Sequence, residues 1–193
     1  MFEEWTIKQY DEMLASKEPT PGGGSALAMI AAKACALAEM AINVTLSKHN
    51  YTQSLPVEKL VDLHAYRLQL YDYANQDAEA FRAIIVALHL PKDTDEQKLH
   101  RKGHLETAYC NAAKVPIKVM DTCNKALAIC KEVLPLLNKY VASDCVIGIE
   151  LLKTAAKNSA LNVYANTLLM ANQSAKQQLE ETCKQLLKTI EGM

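Results

Sequence analysis

Only 6% of the residues are aromatic, and glycine and proline number six each in a chain of 193. So few turn formers and ring side chains exclude a β-sandwich or barrel, which needs a turn every few residues. Charge of one sign is also missing. The formal net charge is −1, and His100-Arg101-Lys102, the nearest approach to a basic run, sits among acidic neighbours. A nucleic-acid footprint is therefore not expected. No CxxC pair occurs among Cys35, Cys110, Cys123, Cys130, Cys145 and Cys183. Most of them lie in apolar helical stretches, where cysteine acts as a small hydrophobe, and none has the neighbours of a thiol nucleophile. The first residues, MFEEWTIKQYDEM, lack the apolar run of a secretion signal, so a reducing, cytoplasmic setting is expected.

Alanine and leucine are plentiful, and half of the residues are hydrophobic. The length suits one domain over residues 1–193 with a real core. The fold class expected is all-α: a single-domain, multi-helical bundle with long central helices. Thr6 and Gln9 form a capping-box start for a helix to about Ser16. A Pro/Gly loop over 17–24 precedes an alanine-rich helix from Ser25 to about Ser47. Lys33, Glu39 and Asn43 interrupt that segment, so it reads as a buried helix and not a membrane span. A third helix runs from Val57 to His89 with the stripe Leu60, Leu63, Tyr71, Ala74, Ala78, Phe81, Ile85 and Leu88. Helical pattern resumes after Asp93 or Thr94 and reaches about Tyr140, with a kink or break expected near Pro116. Ser143 and Asp144 open a helix to about Asn172, and Ser174 to Ile190 forms the last.

Several polar residues sit where a bland helical core would not put them. Asp77 continues the seven-residue spacing of Leu63, Leu70 and Ile84, which gives it a partly buried place on the third helix. Such a carboxylate either pairs with a base such as Arg67 or has its pKa raised toward the range of acid–base catalysis. Asn162 and Asn166 share a helix face with Leu151, Ala155 and Ser159. They suit a polar ligand or an interhelical amide pair. Asp144, one residue after a candidate N-cap, serves either the helix dipole or chemistry. Lys48 is either a solvated helix-end cation or a receiver for an anion. His100 and His104 have metal-compatible spacing but no clear third ligand. Gly22, Gly23 and Gly24 form a loop that is not a Walker motif, because no Gly-Lys-Ser/Thr follows.

Read together, PTPGGGSALA, MAINVTLSKHNY, DAEAF with ALHLPKDT, KVP, SDCVIG and LNVYANTL resemble the cyclodeaminase/cyclohydrolase family, from about Trp5 to Ile190. The resemblance implies an all-helical homodimer acting on one-carbon units of tetrahydrofolate, with no metal and no cofactor beyond that substrate. It implies either closure of 5-formiminotetrahydrofolate to 5,10-methenyltetrahydrofolate with loss of ammonia, or hydration of the methenyl form to 10-formyltetrahydrofolate. The cyclodeaminase reaction stands first here and the cyclohydrolase second. A folate binder without turnover, or a helical interaction module, is the rival of another class. A metal-dependent hydrolase built on the two histidines is a third option.

Matched residue by residue, the resemblance makes Asp77 the acid/base and Asp144 a second, electrostatic carboxylate. Gly22, Gly23, Gly24, Ser25, Asn43, Lys48, Asn162 and Asn166 become substrate-binding, with Thr45 and Tyr51 in the same pattern. Lys33 and Glu39 depart from the small or apolar residues usual in the family. His49, Asn50 and Val146 depart as well.

Overall fold

Among the described residues, six helices pack around one main core. The structure, a computed structural model, describes residues 1–48 and 55–192, and no strand occurs among them. A 3-10 turn, Phe2–Glu4, precedes α1 (Ile7–Leu14), α2 (Gly23–Leu46), α3 (Val57–Leu88), α4 (Asp95–Val133), α5 (Ala142–Thr167) and α6 (Gln173–Glu191).

The helices α2 to α5 form an antiparallel, up-down-up-down bundle. Cross-contacts set the direction of each neighbour. On α2 and α3, Ser25 meets Asp77 while Glu39 meets Arg67. On α3 and α4, Lys118 meets Gln76 while Glu132 meets Lys59. Between α2 and α5, Asn138 donates its N–H to Thr45 Oγ1 at 2.9 Å just before α5 begins, and Gly148 lies against Ala34. Helix α6 covers α4 and α5, and Asn124 reaches the Leu186 carbonyl from α4.

Alanine explains the closeness of α2 to its neighbours. Ala28, Ala31, Ala32, Ala34, Ala38 and Ala41 are all fully buried, and small side chains let helix backbones approach. At Gly148 even a methyl is too large: a Cβ there would stand 2.9 Å from the Ala34 carbonyl oxygen. By length and composition α2 could cross a membrane, but over half of its apolar window is buried inside the bundle. The six cysteines are free thiols, and all except Cys110 are buried.

Sequence expectations fail at four points. Helix α2 starts at Gly23, with Gly22 as its N-cap, so two of the glycines lie inside the helix. Helix α4 runs unbroken through Gly103 and Pro116. Proline removes one backbone bond and costs about 3 kcal/mol, but Val115, Pro116 and Val119 are buried together in the core and that packing prevails. Helix α5 is capped by Val141 without a side-chain bond, so Ser143 and Asp144 lie in its first turn. It ends at Thr167, and Asn172 instead caps α6 by accepting the Ala175 N–H at 3.1 Å. On α3, Phe81 (39% exposed) and Leu88 (40%) face outward, while the buried seam is Leu63, Leu70, Ala74, Ala78 and Ile84. The seven-residue row that contains Asp77 is thus the core row.

Candidate functional site

Asp77 projects from the core seam of α3 onto the first turn of α2. The Ser25 N–H donates to its Oδ2 at 2.9 Å, and Ser25 Oγ lies 3.1 Å from the same oxygen. Ser25 Oγ also donates to the Ala74 carbonyl at 2.8 Å, which fixes the hydroxyl between the two helices. The carboxyl therefore satisfies one of the N–H groups that a helix N-terminus leaves unpaired. Among the described residues no hydrogen bond reaches Oδ1, and no cation pairs with the group. Burial raises the Asp77 pKa from its ordinary value, and the hydroxyl and backbone bonds from Ser25 oppose this in part.

The base that sequence offered as a structural partner is engaged elsewhere. Arg67 donates to Glu39 through Nε at 2.7 Å and Nη2 at 3.2 Å, and His64 Nδ1 stands 3.4 Å from the same carboxylate. Glu39, buried on α2, has its charge balanced by this pairing.

The three glycines divide into two kinds. A Cβ on Gly24 would overlap the Asp77 carboxyl, reaching inside contact distance of Oδ1 and Cγ and standing 2.7 Å from Oδ2. The missing side chain is what admits the carboxyl to the helix end. At Gly22 and Gly23 a Cβ would meet nothing within 4 Å, so the space before them is open.

The other sequence-nominated residues do not all gather here. Asn43 is exposed, about 18 residues further along α2, or roughly 27 Å at 1.5 Å per residue. Lys48 is exposed beyond the same helix end. Thr45 is buried and structural: its hydroxyl donates to the Ala41 carbonyl and accepts the Asn138 N–H. Tyr51, His49 and Asn50 lie outside the described residues. Asp144 is one turn before Gly148 and so level with the far part of α2, roughly 20 Å from Ser25 along the axis. A single chain therefore does not bring Asp144 to the Asp77 carboxyl. Asn162 and Asn166 lie on the part of α5 that the antiparallel packing returns toward the Gly22–Ser25 end. Asn166 Nδ2 donates to the Asn162 carbonyl at 2.9 Å within its own helix, and both side chains are partly buried.

Two features belong to other places. His100 Nε2 and His104 Nε2 are 3.1 Å apart on α4, and no group of three metal-binding side chains occurs among the described residues. They line a cleft of about 1070 Å³ between the end of α3 and the start of α4, and Asp77 is not in its wall. A smaller cleft of about 520 Å³ separates the N-terminal segment from α2. Its wall includes Tyr10, Ala26, Met29, Lys33 and Tyr71. Tyr10 was missed at the sequence level, because a tyrosine on a short amphipathic helix carries no signal of its destination.

Fold and site together define an all-helical protein whose central helix end receives a partly buried carboxyl held by Ser25. The chain belongs to the formiminotransferase-cyclodeaminase family, whose match spans residues 6–185. The methenyltetrahydrofolate cyclohydrolase of Methylorubrum extorquens is 32% identical over 163 residues, covering 83% of this chain and 78% of that protein. The formimidoyltransferase-cyclodeaminase of Rattus norvegicus is 27% identical over 184 residues, covering 94% of this chain. This chain spans 34% of that longer protein. Among solved structures, the formiminotetrahydrofolate cyclodeaminase of Thermotoga maritima superposes with a TM-score of 0.87 at 29% identity, covering 100% of this chain and 93% of that one.

Proposed function

We propose that the protein is a methenyltetrahydrofolate cyclohydrolase, hydrating 5,10-methenyltetrahydrofolate to 10-formyltetrahydrofolate. The observation that carries the reading is the Asp77 carboxyl, held by Ser25 through one oxygen and, among the described residues, without a cation to neutralise it. This reverses the order expected from sequence. Of the relatives above, the cyclohydrolase has 32% identity over most of its own length, whereas the mammalian cyclodeaminase is matched over 34% of its length. Cyclodeaminase activity is the second reading, favoured by the fold likeness to the Thermotoga enzyme.

The chemistry follows from the carboxyl. Water attacks the methenyl carbon while Asp77 takes its proton, and a carbinol forms at that carbon. Its bond to N5 then breaks, N5 is protonated, and the formyl group stays on N10; one proton is released overall. A base with its pKa raised toward neutrality can accept and return that proton. Its negative charge also attracts the cationic substrate to the site. In the deaminase direction the same carboxyl would take the N10 proton and give it to departing ammonia. Neither path requires a metal or a redox group.

Incubation with 5,10-methenyltetrahydrofolate is expected to accelerate loss of the methenyl absorbance, undiminished by a chelator. Gain of that absorbance from 5-formiminotetrahydrofolate would instead support the second reading. A protein that accelerates neither is not an enzyme of this kind.

A homodimer is part of the proposal. The exposed side chains Val146 (45%) and Ile147 (52%) adjoin Asp144 on α5. A second copy covering that face could bring its Asn43–Lys48–Asp144 end toward the Asp77 end of the first. Light scattering on the eluted protein is expected to return twice the chain mass; the mass of one chain would end this part of the reading.

A further inference from the structure

Tyr10 carries a feature that the folate site as described leaves unexplained. Its side chain is buried (7% exposed), and its ring meets Phe2 edge-on with centroids 5.5 Å apart. Phe2 is itself clamped to α3: its N–H donates to Asn75 Oδ1 at 2.9 Å, and Asn75 Nδ2 donates to Glu3 Oε2 at 2.8 Å. Asn75 lies two residues before Asp77. The Tyr10 hydroxyl is buried and has no hydrogen-bond partner among the described residues. Buried polar atoms are nearly always paired, so an orphan hydroxyl on a cleft wall points to a partner that arrives with a ligand.

The same cleft wall reaches the surroundings of Asp77. Ala26, the residue after the Asp77 ligand Ser25, shares the cleft wall with Tyr10, as does Tyr71 one helical stretch before Asp77 on α3. Burial pushes the phenol up to about 12, and after burial the Asp77 charge acts on it more strongly than that of its chain neighbour Asp11. The hydroxyl is thus neutral at any physiological pH and remains both donor and acceptor.

We propose that Tyr10 is a further catalytic residue, whose hydroxyl hydrogen-bonds the heteroatom added to or expelled from the one-carbon unit while Asp77 exchanges its proton. The inference rests on the folate reading above. In hydration, the phenol oxygen accepts one O–H of the attacking water, and the water's other proton passes to Asp77 as the C–O bond forms. The C=N π electrons move to nitrogen in the same step, and the phenol gains and loses nothing. In deamination, the same hydroxyl would accept from the departing ammonia. A carboxylate alone holds the water at one point; a second acceptor fixes its lone pair on the carbon.

The test is Tyr10→Phe, which keeps the ring and its packing on Phe2. A fall in kcat of about 10- to 100-fold with KM nearly unchanged is expected. The thermal midpoint should stay level or rise, since an unpaired buried hydroxyl is removed. Combined with Asp77→Asn, the second change should add little, because both groups act on one atom. Wild-type turnover with an unaltered Tyr10→Phe rate would overturn the Tyr10 role and leave the folate reading standing. A wild type inert toward both folates would overturn both. A slower variant whose midpoint drops, and whose loss adds in full to that of Asp77→Asn, would make Tyr10 a packing residue and also overturn the proposal.

Discussion

Asp77→Asn is expected to lower turnover by about 10²- to 10⁴-fold, the usual contribution of a positioned acid–base group. The amide oxygen can still accept the Ser25 N–H, so the helix contact survives while proton exchange does not. Stability should move the other way. The folded pKa of Asp77 is raised, so ionisation of the native protein opposes folding. That cost is absent below the ordinary carboxylate range and grows as pH rises through the folded pKa. At neutral pH the neutral amide removes it. Thermal unfolding of Asp77→Asn is therefore expected at an equal or higher midpoint than wild type at pH 7, with the advantage vanishing in acid. Wild-type kcat in this variant would remove Asp77 from the mechanism. The rate of the native enzyme should correspondingly rise with pH as the carboxyl ionises.

Gly24→Ala should have the second largest effect, and it isolates geometry from chemistry. The added methyl must displace the Asp77 carboxyl, because its position overlaps that group. Misplacing a reacting group by about 1 Å can cost about 10²-fold in rate. Folding should suffer less: overpacking costs about 1–3 kcal/mol, offset by about 1 kcal/mol of better helix propensity for alanine. Gly23→Ala is the matched control. Its methyl meets no protein atom, so turnover near wild type is expected from steady-state kinetics. Equal rates for Gly24→Ala and Gly23→Ala would show that the close approach is not needed.

These two substitutions also change the meaning of the glycine run. From sequence, Gly22 to Ser25 were nominated to meet the substrate. In the fold, Gly24 and Ser25 meet Asp77, and only Gly22 and Gly23 face open space. The run is a socket for a carboxyl first.

The amino-acid sequence by itself determined the all-helical class, the capping box at Thr6, a cap at Asp93 or Thr94 that the structure assigns to Thr94, and most helix limits to within a few residues. Those follow from local chemistry: hydrophobic period, N-cap side chains and proline placement. The unusual position of Asp77 was also readable, because a seven-residue row puts it beside Leu70 and Ile84. The motifs also pointed to the family to which the chain belongs. Only the tertiary structure decided who meets whom. Arg67 went to Glu39 and not to Asp77, which meets no cation among the described residues. The antiparallel bundle sent Asn43, Lys48 and Asp144 to one end and Asp77 to the other, while Tyr10 arrived from the opposite side of the loop. Pro116 stayed inside a continuous helix for the same reason: packing summed over a long buried face outweighs one missing backbone bond. Pairings across helices depend on registers between segments far apart in the chain, and no local periodicity encodes them.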